Sequence, residues 1–143
     1  MKELYEIGIV FRGAILINHF FKDIPGYTKK ESHKDLRGGF ISAISSFVSG
    51  TYKYNALEYF ESGGFLCVFR TSEIKARDNR TNKKEPIIFY GLIEKKKKSE
   101  KLVKTFLVKV EPIVELFIKR YTNKNFMTEL YQIKDFEFEL LGM

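Results

Sequence analysis

The sequence predicts an α+β (α/β/α) domain around a five-stranded, mainly antiparallel sheet of order 2-1-5-4-3, with one helix on one face and a C-terminal helix or helices on the other. Three observations lead there. Two strand-like runs precede an amphipathic helical stretch and three follow it; glycine turns join neighbouring runs; and a second, longer apolar stripe of helical spacing follows the last strand. The 143 residues suit one domain, residues 1–143, able to bury a core without disulfides or a structural metal. At 44% hydrophobic and 15% aromatic residues, the chain is far too apolar to stay unfolded.

The first run, LYEIGIVF (4–11), reads as a strand with Tyr5, Ile7, Ile9 and Phe11 on one face and Leu4 and Val10 on the other. Arg12-Gly13 suits a short hairpin turn, and AILINHFF (14–21) is the second strand. Residues 22–34 hold a Pro-Gly pair among lysines and read as a loop. Ser32 or Asp35 would cap a helix over 35–52, whose residues Leu36, Phe40, Ala43, Ile44, Phe47 and Val48 recur at spacings of three and four, with Gly50 as terminator. Gly38-Gly39 lies in its first turns. Neither G-x-x-x-x-G-K-[ST] nor G-x-G-x-x-G occurs, so close packing explains this pair better than a phosphate ligand. The outer face of that helix, including Arg37, Ser45 and Ser49, would be left for a partner.

ALEYFES (56–62) and FLCVFRTSE (65–73) form a hairpin about Gly63-Gly64. A solvated, mobile loop over 74–86 carries Lys75, Arg77, Arg80, Lys83 and Lys84. The fifth strand, IIFYGLIE (87–94), is apolar on both faces and runs into Lys95, Lys96, Lys97 and Lys98. Ser99 is the candidate cap of the last long helix, in which Val103, Phe106, Val110, Ile113, Phe117 and Tyr121 form the core stripe. Pro112 interrupts it, predicting a kink or a break. In the tail the spacing favours a helix near 126–134, while Phe136, Phe138 and Leu140 alternate as in a strand. The first and fifth strands are the least polar, which makes them central and, in the order above, parallel neighbours. The second, with Asn18 and His19, and the third, with Glu58 and Glu61, read as edges.

The chemistry is sparse. His19 and His33 lie near no cysteine or carboxylate at metal-ligand spacing, SAISSF is no nucleophile elbow, and Cys67 sits in FLCVF as a small buried side chain. Neither enzyme activity, a cofactor nor a metal is expected. The start, charged at Lys2, Glu3 and Glu6, resembles no targeting segment, and no apolar run approaches the ~18 residues of a membrane span. A cytoplasmic location is therefore expected. The net charge of +7 collects in 22–34, in 75–84 and in 95–98. Lysine runs first read as solvated faces; next come peripheral contact with an anionic membrane and, third, nucleic acid, which would want exposed aromatics interleaved with the basic residues.

In order and size the elements resemble the longin domain, a profilin-like five-stranded module of vesicle-trafficking proteins. The resemblance runs from about Leu4 to Tyr121 and is carried by EIGIVFRGAIL, DLRGGFISAISSF, GGFLCVFR and EKLVKTFLVKVEPIVELFIKRY. The related roadblock domain usually begins with a helix, whereas this chain begins with a strand. The resemblance implies a non-catalytic adaptor that dimerises, or binds a small GTPase or another longin- or roadblock-type domain, in trafficking- or signalling-type regulation. Two alternatives from other classes are a basic nucleic-acid-binding module using the 75–84 and 95–98 clusters, and a small-ligand sensor of PAS or GAF type.

Overall fold

The computed structural model describes residues 1–23, 59–62 and 64–143. The expected helix over 35–52 lies outside them, with its caps, Gly38-Gly39, Arg37, Ser45 and Ser49, and so do His33, most of the loop 22–34 and the start of the third run. Within the described residues the chain is α+β, with an antiparallel sheet and helices after its last strand.

Strand β1 (Leu4–Phe11) pairs with β2 (Ala14–Phe20) through a two-residue turn in which Arg12 and Gly13 have φ of 54° and 77°. Positive φ at both central positions gives a turn whose twist matches the strands it joins, and glycine takes it without strain. On its other side β1 pairs with β5 (Glu85–Glu94), which pairs in turn with β4 (Phe65–Ile74). The short β3 (Tyr59–Ser62) lies antiparallel along β4, Ser62 opposite Phe65.

The β1–β5 pair is antiparallel, which corrects the parallel neighbours inferred from strand order. Both strands are buried along nearly their whole length, and uniform burial of that kind is what made a parallel arrangement plausible. A second correction concerns faces. Leu4 pairs with Ile93 and Glu6 with Leu92, so Tyr5 is an extra residue, a bulge. It turns Leu4 onto the face of Ile7, Ile9 and Phe11, and Tyr5 onto that of Val10.

Helix α1 (Ser99–Tyr121) is one continuous helix of 23 residues through Pro112, not two segments. Val103, Phe106, Val110, Val114, Phe117 and Tyr121 are its buried side. A Cβ on Gly91 would stand 2.3 Å from the Phe106 ring, so a side chain there would push α1 off the sheet. Ser99 does not cap α1: its hydroxyl donates to the Lys96 carbonyl at 3.0 Å, and Lys98 occupies the cap position without a side-chain bond.

The tail is helical in two short pieces, α2 (Leu130–Lys134) and α3 (Glu137–Leu140), rather than one helix over 126–134 or a strand. Its amides bond mostly to carbonyls three residues back, as Phe136 does to Ile133 and Glu139 to Phe136. Phe126, Ile133, Phe136 and Leu140 therefore share one buried side. They join the same apolar cluster as α1, Phe136 meeting Phe117 edge-to-face at 5.0 Å between ring centres. All the C-terminal helices thus cover one sheet face. The opposite face holds Tyr5, Val10, Phe65, Cys67, Phe69, Ile88, Tyr90 and Leu92, also buried.

Candidate functional site

The nine basic residues singled out from the sequence are not brought together. Lys75, Arg77, Arg80, Lys83 and Lys84 precede β5 and Lys95–Lys98 follow it, so the clusters stand at opposite ends of a ten-residue strand, ~33 Å apart.

At the start of β5 two of the five basic residues, Lys75 and Arg77, are held by structure, and the loop expected over 74–86 spans 75–84, since Ile74 belongs to β4 and Glu85 and Pro86 to β5. Ala76 is buried, the Arg77 amide donates to the Lys124 carbonyl and the Asn123 amide to that of Lys75. Lys75 Nζ donates to the carbonyls of Ala76 and Asn79 at 2.7 and 2.9 Å. Arg77 pairs with Glu129 at 3.0 Å. Arg80, Lys83 and Lys84 have exposed side chains.

Beside this loop lies an ion knot that the sequence did not single out. Arg12 forks onto Glu85, Nε and Nη2 each at 2.9 Å, and donates from Nη1 to Asp78 at 2.7 Å. The other Asp78 oxygen accepts the Phe126 amide at 2.9 Å. Hydrogen bonds from Arg12 hold the Glu85 carboxyl below its ordinary range. Burial pushes Asp78 upward, but bonds from Arg12 and the Phe126 amide outweigh it, and its pKa is lowered too. The knot ties the first turn, the β4–β5 loop and the tail together, so its role is structural. No sequence motif announces it, because its partners are 66 and 73 residues apart.

At the other end of β5 the lysines differ among themselves. Lys95 pairs with Glu61 at 2.7 Å and Lys96 approaches Glu3 at 4.0 Å. Lys97 and Lys98, with Lys101 and Lys104 of α1, line a groove of about 660 Å³ completed by Tyr59, Ser99 and Glu100. None of these four lysines has a carboxylate partner among the described residues. Lys101 and Lys104 were visible in the sequence only as polar positions of the helix; their alignment with Lys98 at intervals of three was the available signal.

The remaining residues give no reactive centre among those described. Cys67 is buried, and burial followed by the nearby Glu6 pushes its thiol up to about 12. His19 Nδ1 lies 3.1 Å from Glu137 Oε2, joining β2 to α3. The buried Glu6 accepts from the Tyr90 hydroxyl and, at 3.2 Å, from the Asn18 amide. No group of three or more His, Cys, Asp or Glu is placed to hold a metal among the described residues, and no helix there is long and apolar enough to cross a membrane. No family model, no curated protein and no solved structure matches the chain.

Proposed function

We propose that the chain is a non-catalytic, longin-like interaction module that dimerises and serves a small GTPase or a related domain in trafficking- or signalling-type regulation. The proposed frame is the five-stranded sheet of order 2-1-5-4-3 with helices on both faces. One observation carries the reading. The tail is apolar on two sides: while Phe126, Ile133, Phe136 and Leu140 face the core, Met127, Tyr131, Phe138 and Leu141 face outward, Tyr131 at 84% and Phe138 at 75% exposure. Single exposed apolar side chains are ordinary, but four within fifteen residues suit a protein contact. The same stretch exposes Lys134 beside Asp135, so a second copy related by a two-fold axis can bring opposite charges together. We therefore assign this stretch to a homodimer.

Sedimentation equilibrium tests the assignment. The expected result is a concentration-dependent dimer that Tyr131→Ser with Phe138→Ser reduces to a monomer whose circular dichroism stays native and whose melting temperature no longer depends on concentration. A wild-type protein that stays monomeric at high concentration would overturn it. Copurification with a nucleotide-loaded small GTPase tests the partner separately, and a module that retains none counts against that part alone.

A further inference from the structure

We propose that the groove at the start of α1 binds a ligand bearing clustered phosphate groups. The argument begins with the contrast inside one lysine run. Lys95 and Lys96 have Glu61 and Glu3 to answer them, whereas Lys97, Lys98, Lys101 and Lys104 have no carboxylate partner among the described residues. A cleft lined by one sign of charge focuses its field and raises the local concentration of counter-ions. These four line one concavity of about 660 Å³, in which Glu100 is the one carboxylate among the described lining residues. Four ammonium groups around a shared space repel one another, and a multivalent anion placed among them removes that repulsion while gaining attraction to each.

The walls are fixed. Val103 is buried and Leu102 packs on the core, which sets the rotation of α1 and with it the direction of Lys101 and Lys104. Tyr59 packs on the same cluster and forms the β3 side of the groove. The ligand class follows from the donors. Among the described lining residues the donors are four compact, rotatable ammonium groups, which bind phosphate as point charges and suit several phosphate groups of variable orientation. The volume falls in the ordinary range of small-ligand sites, roughly 300–1,000 Å³, and suits a head-group-sized molecule. A free polyphosphorylated metabolite and a phosphorylated lipid head group share this chemistry. The site uses none of the outward tail residues, so it stands whether or not the protein dimerises.

Titration calorimetry of the full chain with inorganic tripolyphosphate, at about 0.1 M salt to screen diffuse attraction, tests the proposal. Lys98→Glu with Lys101→Glu reverses two groove charges, while Lys83→Glu with Lys84→Glu makes the same change in net charge at the other end of β5. Both groove substitutions place acid at the start of α1, where it favours the helix, so folding is not at stake. The expected result is saturable binding weakened on the order of tenfold or more by the groove pair and about twofold or less by the distant pair. Absence of saturable binding, or equal weakening by both pairs, would overturn it. Cosedimentation then separates the sources. Phosphatidylcholine vesicles carrying phosphatidylinositol bisphosphate, preferred over phosphatidylserine vesicles of matched charge and lost in the groove pair, identify a lipid head group. Tripolyphosphate binding without vesicle binding identifies a soluble ligand. Equal binding to both vesicles, unaffected by the groove pair, overturns the site.

Discussion

At Arg12 a left-handed backbone, with φ of 54°, points a guanidinium between Asp78 and Glu85. Both carboxyls have lower pKa values in the folded chain than the ~4 they hold when unfolded. A depressed acid contributes stability that is whole above its unfolded pKa and is lost as pH falls through the folded value. Wild-type stability should thus fall below about pH 4, and Arg12→Met, which strands both acids, should flatten that fall. At pH 7 the variant should lose about 1–2 kcal/mol, a figure kept low because Arg12 is partly exposed. Urea titrations at pH 7, 5 and 3 check this; an acid slope identical in both proteins would place the proton uptake elsewhere. The turn that presents Arg12 was legible from Arg-Gly between two apolar runs. Its partners were not, because Asp78 reads locally as a turn former and Glu85 as a strand end. Only the meeting of the β1–β2 turn with the β4–β5 loop joins them.

Among the elements, those written in period and punctuation were readable, and those set by neighbours were not. The stripe from Val103 to Tyr121 predicts α1 and, in five of its six positions, the buried face; Val114 is buried where Ile113 was expected, and Ile113 is half-buried beside it. The alternation in β1 was read on the wrong faces at its start because Leu4, Tyr5 and Ile7 are all apolar, and a bulge among apolar residues leaves no trace in the pattern. The tail misled for a related reason, since turns of three residues follow neither a helical nor a strand period well. Pro112 shows packing overriding propensity. Its neighbours Val110 and Val114 are buried, and that anchoring carries the helix past a residue that removes one donor and crowds the turn before it. The side chain at 112 is exposed, so Pro112→Ala restores the donor without opening a cavity. The variant should be more stable by ~1–3 kcal/mol. The expected reading is a higher urea midpoint at unchanged slope; an unchanged or lower midpoint would mean that α1 already relieves the strain.

Over the whole molecule the sheet separates what the sequence lists together. In sequence, Lys75–Lys84 and Lys95–Lys98 are two connections flanking a strand; that strand is β5, and its ten residues hold the clusters apart. The separation bears directly on the nucleic-acid reading. A duplex lying on either end meets at most five of the nine residues, and Arg77, Lys95 and Lys96 already face carboxylates. Each neutralised phosphate contributes about −0.9 to the slope of log affinity against log salt, so one end predicts a slope no steeper than about −5.4 even when Lys101 and Lys104 are added to Lys95–Lys98, against roughly −8 for all nine acting together. Binding to a short DNA duplex over a range of salt concentrations should therefore be weak and shallow in its dependence. Reversing Lys83 and Lys84 should alter that slope only if the duplex sits at their end. A slope steeper than about −6 would require a nucleic acid that spans both ends of β5, and would give the nucleic-acid reading the support that the placement of these residues otherwise denies it.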